Sequence, residues 1–341
     1  MAIDASAAET GGSPGLLAQL LKKPSQEQIV LLITVVLLIV FSLTLSGFSS
    51  VTNLLNLVRS ISILGILGLG MGLIVISRGI DLSEIAIMAG SWSVALIEIQ
   101  RGLPTFWAAM LALVLAVLIG TINGVIVAFV EAPALFVTLA ATFVIYGAAY
   151  WFAPTYVVYA PKPEDAPYLA YLGHDRLFGV PLPIIVFAVI ALAMHLFLSR
   201  TSTGRFIYSQ GDNPEAAHLS GVALRPLVVL EYVLVALLGW LAGLVWIGTT
   251  GSMQMIIVHG TYIFDVILVV VLGGISLIGG RGSVFSVVVG CALIGTLFNA
   301  FTIMDINSEV QNIIKGVVLL AAIVLDNWLH PRDEETARQG D

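Results

Sequence analysis

Few side chains in this chain could do chemistry, and their spacing excludes most reactions. Its four lysines, at 22, 23, 162 and 315, are never followed by Ser or Thr, so the G-x-x-x-x-G-K-[ST] loop that cradles nucleotide phosphates does not occur. The chain is not itself a P-loop ATPase. The five histidines, at 174, 195, 218, 259 and 330, stand far from one another, and Cys291 is the only cysteine. That leaves no H-E-x-x-H motif, no zinc ligand set and no disulfide framework; Cys291, inside an apolar run, reads as packing. A G-x-S-x-G string at residues 11–15 lies in a polar tail, without the strand and helix a nucleophile turn needs. No catalytic residue and no metal site are expected. The ionisable candidates within apolar runs are Glu231, Asp265, Lys315 and Asp326. Such residues cost several kcal/mol in a bilayer and are functional candidates by default. Glu231, Asp265 and Asp326 lie near the ends of their runs and Lys315 toward the outer end of its own, so the reading is snorkelling or an interface. None sits at the midplane, where an ion-coupled carrier places its coupling group.

The elements that must position these residues follow from composition. Of 341 residues 59% are apolar and only 10% charged, against roughly 25% charged in soluble proteins. A soluble globule and a disordered chain are both excluded, and no basic stripe suggests nucleic acid. The apolar runs are 29–45, 57–76, 85–99, 106–130, 134–152, 182–198, 227–247, 262–278, 284–301 and 310–329. At roughly 20 residues per crossing, they predict an all-α polytopic membrane protein with about ten transmembrane helices, the third short enough to be a broken or tilted half-helix. An even number of crossings puts both termini on one side. With the termini inside, the inner segments carry nine Lys and Arg (22, 23, 78, 200, 205, 225, 281, 332, 338) and the outer ones four (59, 101, 162, 176). This excess predicts that both ends are cytoplasmic. Residues 1–28 fit a signal peptide poorly and read as an uncleaved cytoplasmic tail. Residues 29–329 form the membrane domain and 330–341 a second tail.

Two connections are long. The outer one, 153–181, holds five prolines, four tyrosines and Glu164, Asp165 and Asp175, so it reads as an irregular, compact docking surface. In the inner one, 199–226, Asn213 suits a helix N-cap, Pro214 the first helical position, Glu215 the positive end of the dipole and Gly221 the closing turn. From spacing alone a docking helix and a plain connector are equally good readings. Gly68 with Gly72, Gly120 with Gly124 and Gly239 with Gly243 have the small-three-small spacing of closely packed helices.

Four strings, in order, carry a resemblance: Gly79-Ile80-Asp81-Leu82-Ser83; Asn123-Gly124 followed by Phe136-Val137-Thr138-Leu139 and Gly147; Gly211-Asp212-Asn213-Pro214-Glu215-Ala216-Ala217 with Leu219-Ser220-Gly221; and Gly273-Gly274-Ile275-Ser276-Leu277-Ile278-Gly279-Gly280-Arg281-Gly282. Together they resemble the monosaccharide permeases of ATP-binding cassette (ABC) importers, the ribose and xylose type. A related branch carries branched-chain amino acids, and the GIDLS string favours the sugar branch. The chain departs from the family pattern at Arg78, where Gly is usual, at Glu84, where a small or apolar residue is usual, and at Glu131, Pro133 and Tyr146.

The resemblance implies a type II ABC importer-like permease in the bacterial cytoplasmic membrane. It would pair with a second permease, identical or a paralogue, and pass a small sugar inward by alternating access. ATP and magnesium would be held by a separate cytoplasmic cassette ATPase docking on Gly211, Asn213, Pro214, Glu215, Ala216, Ala217 and Gly221. An extracytoplasmic sugar-binding protein would deliver substrate to the outer loops. Gly79, Asp81, Ser83, Gly273, Gly274, Gly279 and Gly280 would form structural turns, with Asp81 capping the third helix and Ser83 helping. Asn123, Phe136 and Thr138 are candidates for the translocation path against ordinary packing. No cofactor is implied in this chain itself. The reading from another class is an ion-coupled secondary transporter of a small polar solute.

Overall fold

The structure, a computed structural model, describes residues 25–153, 157–162 and 166–329. The termini with Lys22, Lys23, His330, Arg332 and Arg338, the G-x-S-x-G string, and Glu164 and Asp165 lie outside the described residues, as does the side chain of Asp326. Every apolar run holds a helix. They form α1 (Gln26–Thr44), α2 (Val51–Ile76), α3 (Glu84–Gln100), α4 (Thr105–Val125, continued by a π-helical stretch Ile126–Val130), α5 (Ala134–Phe152), α7 (Leu182–Arg200), α10 (Leu224–Thr250), α11 (Tyr262–Gly273), α12 (Val284–Ile303) and α13 (Ser308–Leu329). Three further helices, α6 (Pro167–His174), α8 (Ser202–Asp212) and α9 (Pro214–Leu219), lie in the two long connections. Among the described residues, seven helices are long and apolar enough to cross a membrane: α1, α2, α4 with its π stretch, α5, α7, α10 and α12. The protein is therefore a mostly helical, multi-pass membrane protein. α3 and α11 are short, at 17 and 12 residues.

The core forms around α2. Its glycines admit a different neighbour at each level: Gly65 faces Phe187 of α7, Gly68 faces Val287 of α12 and Val269 of α11, and Gly70 faces Glu84 of α3. Helix association in lipid lacks a hydrophobic drive, so this close approach is what van der Waals packing requires. The other glycine pairs do the same. Gly120 and Gly124 of α4 lie against Tyr232 and Val229 of α10, and Gly239 and Gly243 of α10 against Glu84 and Trp92 of α3. Cys291 is buried and free, as its setting predicts. Outside this core α1, α4 and α5 turn apolar faces outward, with Phe136, Phe143 and Trp151 of α5 exposed.

Three sequence expectations need correction. The eighth helix ends at Gly273 and not at Ile278, because Gly274 takes φ +104° and the chain turns away. The inner connection is mostly helical: α8, absent from the sequence reading, begins at an N-cap where Thr201 Oγ1 accepts from the Gly204 amide at 3.0 Å. Arg59, counted among loop charges, lies inside α2. The outer connection is partly ordered by β1 (Val157–Tyr159), which pairs antiparallel with β4 (Ser252–Gln254) after α10, and by the small ribbon of β2 (Arg176–Leu177) and β3 (Val180–Pro181).

Candidate coupling junction and membrane cleft

α9 is built as its sequence dictates. Asn213 Oδ1 accepts from the Ala216 amide at 3.0 Å, and Pro214, with no amide hydrogen to leave unpaired, opens the helix. Its end is a Schellman turn: Gly221 takes φ +88°, the Val222 amide donates to the Ala217 carbonyl at 3.0 Å and the Gly221 amide to the His218 carbonyl at 2.9 Å. Ala217 is buried, whereas Glu215, Ala216, His218 and Leu219 face outward. Leu219 is 81% exposed. It stands open and apolar at the last helical position of α9.

The preceding residues bring three of the four motif strings together. A Cβ on Gly211 would fall on the Ile76 carbonyl of α2, so only glycine fits there. The same carbonyl accepts from the Gly280 amide at 2.8 Å. Gly279, Gly280 and Gly282 take φ of +93°, +69° and +130°, which fold the α11–α12 connection under α2. α2 itself closes with a Schellman turn, in which Gly79 donates to the Ile74 carbonyl at 2.8 Å and Arg78 to the Val75 carbonyl at 3.0 Å. The left-handed residue of that turn is Arg78, at φ +70°. A side chain there costs about 1 kcal/mol relative to glycine. The departure noted at this position is thus a residue in a glycine conformation. Its guanidinium reaches back to α8: Nε donates to the Gly211 carbonyl at 2.7 Å and Nη2 to the Asp212 carbonyl. Tyr208 of α8 donates to the Gly282 carbonyl at 2.8 Å, and burial, with the Glu27 charge second, pushes its phenol upward so that it stays a donor. Ser283 and Ser286, at the start of α12, both donate to Glu27 of α1.

From Gly79 the chain runs back into the bundle. The Ile80 carbonyl accepts from the Tyr232 hydroxyl at 3.1 Å, the Leu82 carbonyl from Thr142 at 3.1 Å, and Ser83 Oγ from the Asn123 amide at 2.9 Å. Asp81 does not cap α3. Its Oδ1 accepts from the Ser83 amide at 2.8 Å and from the Ser83 hydroxyl, a local Asx turn, while Ser83 is the N-cap residue of α3 and no side chain caps the helix. The first turn of α3 lies beside Gly70, six residues or about 9 Å before the end of α2. There Glu84 is fully buried between Gly70 and Gly239, and neither carboxyl oxygen has a hydrogen-bond partner among the described residues. Sequence reasoning registered Glu84 only as a departure from a motif. Its helix is apolar all round, so periodicity marks no face for it.

Of the two readings for the membrane acids and Lys315, snorkelling or an interface, the described ones meet the second. Lys315 Nζ and Asp265 Oδ2 pair at 2.9 Å with both side chains nearly buried, and the ammonium lies 4.2 Å from the centre of the Phe298 ring. Glu231 is buried and meets the Gln210 amide of α8 at 3.4 Å. Neither acid snorkels; each faces another element.

Of the proposed path residues, Asn123 and Phe136 line one cleft of about 480 Å³ between α4 and α5, otherwise walled by isoleucine, valine and alanine. Thr138 is turned inward, its hydroxyl donating to the Ala134 carbonyl at 2.9 Å, and does not line the cleft. Gly147 is exposed on α5.

Comparison with known proteins matches residues 53–323 to a family model described as the branched-chain amino acid transport system / permease component. Among curated proteins, the chain is 32% identical to the ribose import permease protein RbsC of Haemophilus influenzae, over 89% of this chain and 94% of that one. It is 29% identical to the fructose import permease protein FrcC of Rhizobium meliloti, over 89% and 86%. It is 32% identical to the L-arabinose transport system permease protein AraH of Escherichia coli, over 88% and 90%. No solved structure is matched.

Proposed function

The chain belongs to the permease-component family of branched-chain amino acid transport systems, and on that footing we propose that it carries a small sugar inward as the membrane subunit of an ATP-binding cassette importer. It is a transport subunit, and ATP hydrolysis belongs to a separate ATPase. The observation that carries the sugar reading is the near full-length similarity to ribose, fructose and arabinose permeases. In this reading the ten apolar helices of residues 29–329 all cross the bacterial inner membrane, α3 and α11 as half-helices completed by the turns beside them. The end that carries α9 is cytoplasmic, as are both tails.

The partner ATPase docks on α9, with Leu219 as its apolar anchor and Asn213, Pro214, Glu215, Ala216, Ala217 and Gly221 setting the helix; Gly211 seats it beneath α2. ATP and magnesium stay on that partner. Closure of the ATPase pushes α9, and the contacts of Gly211 and Gly280 with Ile76 pass the movement to α2. Gly79, Gly273, Gly274 and Gly279 hold the turns that permit it. A second permease, identical or a paralogue, covers the exposed α4–α5 face. The cleft with Asn123 and Phe136 then borders the translocation path, and Thr138 supports its wall from inside. The 153–181 connection, tied to the β4 segment, meets an extracytoplasmic sugar-binding protein.

Purification in mild detergent from the native membrane tests this directly. A cassette ATPase is expected to co-purify with the chain, and Leu219→Asp is expected to release it. A chain that purifies without an ATPase, yet supports gradient-driven uptake, overturns the reading in favour of an ion-coupled carrier.

A further inference from the structure

We propose that Arg78 is a positioning residue that clamps the coupling segment to the α2–α3 junction, so that displacement of α9 is delivered to α3 as well as to α2. The inference rests on the importer reading above and names a part this chain adds to it. Three observations carry it. First, Arg78 occupies a left-handed position, φ +70°, in a turn whose backbone hydrogen bonds glycine would make with less strain. A long side chain held there points to a task for its head group. Second, the guanidinium meets the Gly211 and Asp212 carbonyls, the last two of α8. Those carbonyls have no helical partner, and they lie at the negative end of the dipole, where a cation binds best. The α8 to α9 turn is thereby fixed to residue 78 by two hydrogen bonds from one planar group. Third, the neighbouring chain leaves room for it: a Cβ on Gly279 would collide with Arg78 Cγ.

The link beyond Arg78 is short and stiff. Only Gly79 to Ser83 separate it from α3, and that stretch is held by Tyr232, Thr142 and Asn123 from three different helices. A pull on the Gly211 and Asp212 carbonyls is therefore not absorbed in a loose loop but reaches the first turn of α3, where Glu84 lies against α2 and α10. Gln210 adds a weaker parallel tie, its amide 3.5 Å from the Ser77 carbonyl.

Arg78→Gly and Arg78→Lys separate this role from a merely structural one. Glycine relieves the backbone strain but removes the clamp; lysine keeps the strain and offers one ammonium in place of the fork. The measurements are the thermal midpoint of the complex purified with its own ATPase and binding protein, and labelled ribose, fructose and arabinose taken up per ATP hydrolysed in proteoliposomes. The clamp predicts opposite orders. Arg78→Gly has a midpoint equal to or above wild type and loses five-fold or more of the sugar carried per ATP; Arg78→Lys has a midpoint below Arg78→Gly and recovers part of that ratio. Arg78→Gly with wild-type sugar per ATP, or the two variants ranking alike in both measurements, overturns the clamp. Wild-type protein that shows no ATP-dependent uptake of any of the three sugars overturns the sugar-importer reading itself, whatever the variants do.

Discussion

The two ends of this molecule are joined by different chemistry. At the end carrying α9, elements meet through their backbones: Gly211 lies on the Ile76 carbonyl, Gly280 donates to the same oxygen, and the Arg78 fork grips two carbonyls. At the opposite end, beside the β1–β4 ladder and the close approach of Gly173 to the Gly248 carbonyl, the long helices meet through side chains. Asn53 and Asn299 exchange two hydrogen bonds of 2.8 Å, Thr261 donates to Asn312 at 3.1 Å, and Lys315 pairs with Asp265 at 2.9 Å. Backbone contacts at glycine cannot be remade by another residue, whereas side-chain pairs can be exchanged for others of similar volume. The junction of Gly211, Gly280 and Arg78 around Ile76 is therefore built for one fixed geometry. That is what a device transmitting a partner's movement requires, while the opposite end needs only cohesion.

Substitutions that break this contrast rank by size. The largest effect is expected from Gly211→Val, whose side chain has no space beneath α2; little folded protein should appear in the membrane on size-exclusion chromatography. Normal yield would mean that the backbone junction is softer than its geometry implies. Next is Lys315→Met, which leaves the Asp265 carboxylate buried without its partner and should destabilise by about 3 kcal/mol. Adding Asp265→Asn should recover part of that loss in a thermal melt, as exchangeable side-chain chemistry demands. Gly221→Val strains a left-handed residue by about 1–2 kcal/mol without a clash. It is expected to leave the protein in the membrane and cut uptake about ten-fold while ATP is still hydrolysed; normal uptake would remove α9 from the coupling role. The smallest effect belongs to the Asn53 and Asn299 pair: a double-mutant cycle with leucine should give a coupling near 1 kcal/mol.

Much of the α9 end was legible in the sequence, because its conformations need particular residues. Asn213, Pro214 and Gly221 spell a cap, a first turn and a closing turn, and Gly274, Gly279 and Gly280 mark left-handed positions that few other residues adopt. The apolar runs located every long helix for a similar reason, since length and apolarity are what lipid demands. What could not be read is which segments meet. Nothing in the local pattern places Gly211 under Ile76, pairs Lys315 with Asp265, or sets Glu84 between two glycines of distant helices; these are facts of tertiary packing. α8 was missed because its polar, Gly-containing sequence has weak helix propensity, and packing against α2 and α10 overrides that preference. Asp81 was misread because its Asx turn with Ser83 uses the residue types that also serve as helix caps.

The central claim is that this chain moves sugar on the energy of a partner's ATP hydrolysis. Uptake of labelled ribose, fructose and arabinose into proteoliposomes holding the chain, its co-purifying ATPase and its binding protein tests it most directly. The account predicts uptake of at least one sugar that requires ATP on the α9 side and persists when ionophores collapse every ion gradient. Uptake that ignores ATP and stops with the ionophores would contradict it.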